Sequence, residues 1–82
     1  MQIFLTKEAQ KQYRKLPKSE TEKINKKFIL LSGEPPAGKK LSGEYKETRS
    51  LKAWPYRIIY FINEKQQEIW IISIIHRQGA YK

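Results

Sequence analysis

Five side chains in the carboxy-terminal half of the sequence suit the chemistry of a phosphodiester. Guanidinium groups bind and stabilise phosphate charge, while imidazole and phenol groups can exchange protons. The sequence places these residues in or beside neighbouring predicted strands, with no carboxylate among them. Each alone has a plainer interpretation, since an arginine within an apolar strand can extend to solvent and pair with a glutamate. Together they predict a phosphodiester site made of Arg49, Arg57, His76, Arg77 and Tyr81.

The composition excludes most other catalytic sites. The chain has no cysteine and one histidine, and its 8 acidic residues are all glutamates. Thiolate chemistry, disulfides and a Ser-His-Asp triad are therefore ruled out, and scattered glutamates are a poor metal-ligand set. The 4 glycines are too dispersed to form a phosphate-binding loop. We expect neither a metal nor a cofactor.

The chain has a large excess of positive charge. Lysine and arginine number 17 against 8 glutamates, which gives a net charge of +9 over 82 residues. Such a surface favours polyanionic partners, although basic residues can also serve solubility alone. A hydrophobic content of 39% is too high for a disordered basic tail. The length predicts one domain, residues 1–82, with a single small core.

The first elements that must support this site are a strand and a helix. Apolar residues 2–5 predict the strand, and Thr6 after them is a good helix N-cap. Residues 7–16 place apolar side chains on one side and basic side chains on the other, which predicts an amphipathic helix. Pro17 ends it.

A second helix follows and forms a hairpin with the first. The capping-box pattern of Ser19 and Glu22 predicts its start, and Gly33 predicts its end. Its apolar face has Phe28 at the centre of the expected contact with the sheet, between Ile24 and Leu31. Residues 34–38 suit neither a helix nor a central strand.

The carboxy-terminal half predicts three strands. Residues 45–52 are polar and indicate an edge-like strand, whereas residues 56–62 and 68–75 are almost continuously apolar and indicate central strands. The short connection between the last two requires an antiparallel hairpin. The result is an α+β fold of order β-α-α-β-β-β, in which two helices cover one sheet face and leave the other for function.

No segment predicts export or membrane insertion. The longest apolar run, residues 69–75, is far shorter than a membrane span. The apolar stretch at the amino terminus is too short for a signal peptide. We therefore expect a cytoplasmic protein with no membrane partner.

Several short motifs resemble the RelE/ParE superfamily of type II toxin–antitoxin toxins. They are Leu41-Ser42-Gly43, Arg49-Ser50-Leu51, the strand Tyr56-Arg57-Ile58-Ile59-Tyr60, and Ile75-His76-Arg77 followed by Tyr81. The resemblance covers nearly the whole chain. It implies a RelE-like fold, with a helical hairpin packed on a small, curved, mainly antiparallel sheet.

The resemblance also implies an activity. RelE-like toxins are metal-independent endoribonucleases that cut mRNA in the ribosomal A site, through attack of the 2′-OH that leaves a cyclic phosphate. By position, Arg57 matches the family's central-strand arginine, Arg77 the arginine after the last strand, and Tyr81 the tyrosine of the tail. His76 matches a histidine of many relatives and is our choice of general base, with Glu47 or a lysine as substitutes.

One feature departs from the RelE pattern. RelE-type enzymes place lysines on the strand before the central one, where this chain has Thr48 and Ser50. Lys46 and Lys52 flank these positions, and with Arg49 they are predicted RNA-binding residues.

The resemblance leaves two alternatives open and implies a partner. ParE-type relatives share the fold but inhibit gyrase without cleaving RNA, and a catalytically inactive RNA- or antitoxin-binding module is the other alternative. The expected partners are the ribosome and mRNA, and an acidic antitoxin that covers the basic face or extends a sheet edge in a hetero-oligomer.

Overall fold

The computed structural model describes residues 1–41 and 48–77. Within them the chain forms β1 (Gln2–Leu5), α1 (Lys7–Arg14), α2 (Lys18–Gly33), a 3-10 helix (Pro35–Ala37), β2 (Lys39–Lys40), β3 (Thr48–Ala53), β4 (Tyr56–Asn63) and β5 (Glu68–His76). The α+β class and the predicted order of the main elements are confirmed. The 3-10 helix and the two-residue strand β2 are additions that the sequence pattern does not predict.

The strands form one mixed sheet in the order β1-β5-β4-β3-β2. β1 runs parallel to β5, and the other neighbours are antiparallel. The apolar strands β4 and β5 lie inside the sheet, as their composition predicts. The expectation that β3 lies at an edge is wrong, because Lys39 and Lys40 of β2 pair with Ser50 and Arg49 on its outer side.

The two helices begin differently, α1 with a side-chain cap and α2 without one. Thr6 Oγ1 accepts a hydrogen bond from the Ala9 N–H at 3.2 Å, which confirms the predicted N-cap. α2 begins at Lys18, and Pro17 rather than Ser19 precedes it. The predicted capping box is therefore wrong, because Ser19 already lies within the first turn, where its side chain cannot cap the helix.

The core lies between the helices and one face of the sheet. Fully buried Ala9, Ile24 and Leu31 of the helices pack against fully buried strand residues, namely Ile58, Tyr60, Ile69 and Ile71. Phe28 is only partly buried and stacks on Tyr13, with ring centroids 6.2 Å apart. Ile24 and Leu31, and not Phe28, thus form the centre of the helix contact.

A β-bulge changes the register of the central hairpin. Ile59 pairs with Ser73, but the next residue, Tyr60, pairs with Ile71, so Ile72 has no partner of its own. The bulge determines which side chains of β5 share a face with those of β4. Among residues 1–41 and 48–77, no helix is long and apolar enough to cross a membrane.

Candidate functional site

The β3–β4 hairpin presents two cations side by side. Lys52 pairs directly with Arg57, and the following pair, Ala53 with Tyr56, leaves Trp54 and Pro55 as the turn. Cross-strand partners point to the same face of a sheet, and successive residues point to opposite faces. Since the neighbouring Ile58 is buried against the helices, Lys52 and Arg57 lie on the face that the helices do not cover.

These cations line a cleft at the hairpin end, which we call the cationic cleft. It has a volume of about 290 Å³ and is lined by Lys52, Trp54, Pro55, Tyr56, Arg57 and Arg77. Three of these six side chains are positively charged, and no carboxylate is among the described residues that line it. The arrangement therefore suits a phosphate group that is desolvated on one side and contacted by several cations.

Arg77 is held at the cleft by two contacts. Its backbone N–H donates to the Pro55 carbonyl at 2.7 Å, and its guanidinium Cζ lies 4.7 Å from the centroid of the Trp54 ring. On the other side of the turn, Lys23 Nζ donates to the Trp54 carbonyl at 2.7 Å and forms an ion pair with Glu20 at 3.2 Å. The turn is thus fixed both to α2 and to the end of β5.

His76 lies on the other side of the sheet from Arg57. The bulge pairs Arg57 with Ile75 and Tyr56 with His76, so the imidazole belongs to the helix-covered face. Its ring meets the Tyr56 ring edge-on, with centroids 5.2 Å apart and an interplanar angle of 90°. His76 is exposed at the strand end and is not among the described residues lining the cationic cleft.

Arg49 is engaged elsewhere. It pairs with Tyr60, on the helix-covered face, and its Nη1 donates to the carbonyls of Gly38 at 3.0 Å and Pro36 at 3.4 Å. It also lines a larger cavity of about 660 Å³ at the opposite end of β4, together with Lys40 and Lys65. The RNA-binding role of Arg49 stays a prediction, and the structure does not bring Arg49 into the cationic cleft.

The buried Tyr60 hydroxyl fixes the same segment. It donates to the Pro35 carbonyl at 2.7 Å and accepts from the Gly38 N–H at 2.8 Å. Burial raises the pKa of the Tyr60 phenol above its ordinary value, and the Gly38 hydrogen bond and the Arg49 charge oppose that rise. A Cβ at Gly38 would lie 2.6 Å from the Tyr60 hydroxyl, so the position has no room for a larger residue.

Residues 35–38, which the Tyr60 hydroxyl holds in place, contribute to the wall of a second groove beside the cationic cleft. This groove also measures about 290 Å³, and its lining includes Gly38, Lys39 and Ser50. Lys52 and Arg57 line both spaces. The two spaces therefore adjoin along β3 and β4, and Lys39 adds a fourth cation to the path.

Two predicted site residues, Lys46 and Tyr81, lie outside the described residues. Among the predicted residues that are described, the structure brings Lys52, Arg57 and Arg77 together and separates Arg49 and His76 from them. Sequence reasoning missed Trp54, which is 65% exposed beside the cations. Its only sequence signal is its place before a proline, between two strands.

Comparison with known proteins gives consistent matches. The model of the family described as "ParE toxin of type II toxin-antitoxin system, parDE" matches residues 3–81. A search of curated protein sequences found no match. The chain is similar to the structure of the toxin–antitoxin complex RelBE2 from Mycobacterium tuberculosis, with 29% identity, a TM-score of 0.85, and coverage of 93% of this chain and 96% of that one.

Other solved structures share the fold. The archaeal RelE–RelB complex from Pyrococcus horikoshii has 25% identity and a TM-score of 0.77, with 93% of each chain covered. The YoeB/ParE toxin from Agrobacterium tumefaciens has 20% identity and a TM-score of 0.82, with 93% of this chain and 98% of that one covered. With the family model matched along nearly the whole sequence, the chain belongs to the ParE toxins of type II toxin–antitoxin systems, within the RelE/ParE superfamily that its motifs resemble.

Proposed function

We propose that this toxin is a ribosome-dependent mRNA endoribonuclease. The observation that carries the proposal is the meeting of Lys52, Arg57 and Arg77 around one cleft with no carboxylate in its described lining. A phosphodiester in this cleft would be contacted by three cations, two of which present several N–H donors each. The net charge of +9 supports the wider contact with ribosomal RNA.

The reaction is the one that the RelE resemblance implies. The 2′-oxygen attacks the adjacent phosphorus, the bond from phosphorus to the 5′-oxygen breaks, and the products are a 2′,3′-cyclic phosphate and a 5′-OH. One proton leaves the 2′-OH and one reaches the 5′-oxygen. Negative charge builds up on the non-bridging oxygens, where Arg57, Lys52 and Arg77 stabilise the transition state.

Arg77 enters this reaction with its orientation already set. Its guanidinium Cζ lies over the Trp54 ring, and its backbone N–H is bonded to the Pro55 carbonyl, so little side-chain entropy is lost when it binds the phosphate. Arg57 projects from β4, the middle strand of the described sheet, which is hydrogen-bonded to a strand on each side.

Two groups compete for the proton-transfer role. His76 remains our proposed base because imidazole can accept and donate a proton near neutral pH, and it stands at the exposed end of β5, next to Arg77. Lys52 is the alternative, since it faces Arg57 directly and lines the cleft. Tyr81 is proposed to orient the substrate, and Lys46 and Arg49 to bind RNA.

We also propose an acidic antitoxin as the partner in a cytoplasmic hetero-oligomer. The relatives from Mycobacterium tuberculosis and Pyrococcus horikoshii are toxin–antitoxin complexes. The partner would neutralise the cationic cleft, and β1, at one edge of the described sheet, offers backbone groups for an added strand.

The proposal is tested with purified protein, 70S ribosomes and a defined mRNA. Primer extension should reveal cuts in the mRNA only when ribosomes occupy it, and the products should carry a cyclic phosphate. Intact mRNA at full ribosome occupancy would overturn the proposal.

A gyrase inhibitor is the second candidate, because the matched family model is that of ParE toxins. This toxin would act through protein contacts without cutting RNA. Expression in cells separates the two candidates. Translation arrest with shortened transcripts supports the nuclease, whereas DNA damage with intact mRNA supports the gyrase inhibitor.

A further inference from the structure

Trp54 is the most conspicuous side chain of the site that the proposed chemistry does not use. It is 65% exposed, although the indole is among the largest apolar groups a protein has. It lies in the cleft wall beside three cations, and the guanidinium Cζ of Arg77 lies over its ring. A large aromatic face that stays in water next to phosphate-binding groups is the arrangement found in proteins that bind single-stranded nucleic acids.

The geometry points to Trp54 as a stacking platform for a nucleobase of the bound RNA. This inference rests on the proposed function and deepens it, since it assigns a residue that holds the base next to the phosphate bound by Lys52 and Arg57. The base would lie on the exposed part of the ring, while the guanidinium of Arg77 stays over the ring, 4.7 Å from its centroid.

The backbone around Trp54 is fixed as a platform requires. Its carbonyl accepts a hydrogen bond from Lys23 Nζ, and the carbonyl of the next residue, Pro55, accepts from the Arg77 N–H, both at 2.7 Å. Because Lys23 and Arg77 already hold the turn, stacking of a base would cause little further loss of loop entropy.

Lys52 and Trp54 are also close to each other at the cleft. Lys52 is the penultimate residue of β3 and Trp54 lies two residues later in the turn, and both side chains line the same space. A phosphate between Lys52 and Arg57 therefore leaves its own base, or the adjacent one, within reach of the indole. The lining suits RNA because it places aromatic and cationic side chains next to each other. Bases and phosphates alternate in the same way along an RNA strand.

Fluorescence provides a direct readout. The sequence contains 2 tryptophans, and the other one, Trp70, stacks on Phe4 with ring centroids 5.1 Å apart. In a Trp70→Phe background, which keeps an aromatic ring against Phe4, emission reports Trp54 alone. The probes are a short 2′-O-methyl oligonucleotide, which cannot be cleaved, and an abasic oligonucleotide of the same length and charge.

We expect the base-bearing oligonucleotide to quench Trp54 and the abasic one to bind without quenching. In the otherwise wild-type chain, Trp54→Ala should weaken binding of the base-bearing oligonucleotide roughly 5- to 100-fold, the range for loss of one stacked base, and leave abasic binding unchanged. Trp54→Phe should retain most of the affinity. The matched control is Ile29→Ala, which removes an apolar side chain that is 71% exposed on α2, and it should behave as wild type.

Three results would overturn the inference. Equal weakening for both probes would mean that Trp54 only positions Arg77. No weakening for either probe would remove Trp54 from RNA binding, and a simultaneous loss of affinity for an acidic partner protein would identify it as a protein anchor. Absence of quenching in a toxin that still cleaves mRNA would reject the stacking role alone, whereas quenching without any cleavage would reject the nuclease proposal alone.

Discussion

Lys52 and Arg57 are direct partners across the β3–β4 hairpin, and both point to the sheet face that the helices leave open. Like charges directly opposite each other destabilise a hairpin. Arg77 is the third cation that lines the cleft, and a phosphate bound there, as we propose, would be attracted by all three charges.

Replacement of Arg57 should separate chemistry from folding. Arg57→Ala is expected to reduce ribosome-dependent cleavage roughly 10²- to 10³-fold, the effect of removing one preorganised donor to the transition state. The melting temperature should change little, because the side chain is not part of the core. Primer extension and thermal melting measure the two effects, with exposed Lys11→Ala on α1 as the control that removes one charge elsewhere. Full cleavage by Arg57→Ala would exclude the cationic cleft as the nuclease site.

The competing proton carriers can be told apart by a pair of variants. His76→Gln keeps hydrogen bonding but cannot titrate, so a loss of roughly 10²-fold or more would identify a proton-transfer role. Lys52→Met keeps the length of the side chain and removes both charge and basicity. If His76→Gln retains wild-type cleavage over the whole pH range while Lys52→Met loses it, the lysine takes the role. Single-turnover cleavage rates from pH 6 to 9 are the measurement.

The buried phenol of Tyr60 predicts an alkaline loss of stability. Since burial raises the pKa of this group in the folded chain, the folded state holds its proton more tightly than the unfolded state does. The stabilisation is complete below the unfolded pKa of about 10 and is lost as the pH rises through the folded pKa. Tyr60→Phe should therefore show a shallower decline of the unfolding free energy above pH 10 than wild type. Urea unfolding at pH 8 to 11 measures it, and identical slopes would contradict the prediction.

Gly38 and Gly33 form a matched pair of positions for testing how tightly the Tyr60 hydroxyl packs against residues 35–38. Gly38→Ala would place a Cβ 2.6 Å from the Tyr60 hydroxyl and 3.0 Å from the Ser50 carbonyl, so it should destabilise the protein by about 1–3 kcal/mol. Gly33→Ala at the end of α2 meets nothing within 4 Å and should be neutral or stabilising by up to about 1 kcal/mol. Chemical unfolding of both variants checks the difference, and equal stabilities would show that Tyr60 can move away at little cost.

Much of the fold could be predicted because its signals are local. The apolar runs of β4 and β5 placed these strands inside the sheet, and its charge within such a run singled out Arg57, which lines the cationic cleft. The helix contact was misassigned to Phe28 because helical periodicity gives the face of a helix but not the depth of each side chain. The hydrogen bonds that hold residues 35–38 were missed because they are made by Tyr60, which lies more than twenty residues later in the chain.

The position of His76 shows a different limit. Without a bulge, the pairing of Asn63 with Glu68 would continue regularly and set Arg57 opposite Ile74, which would place His76 on the same face as Arg57. The extra residue Ile72 shifts the register by one, pairs Arg57 with Ile75, and moves the imidazole to the other face. No residue type in β5 indicates the bulge, so the sequence alone could not predict which face of the sheet carries His76.

The parallel pairing of β1 with β5 has a consequence for the order of events during synthesis. Thr6 Oγ1 donates to the Ile72 carbonyl, 66 positions away, and β5 is the strand that joins β1 to the rest of the sheet. When β1, both helices and β3 have been synthesised, the nascent chain still lacks β5, the strand with which β1 must pair. Such long-range closure is slow compared with local helix formation. Arg77, which completes the lining of the cationic cleft, follows β5 in the chain, so the cleft cannot form before β5 has been synthesised.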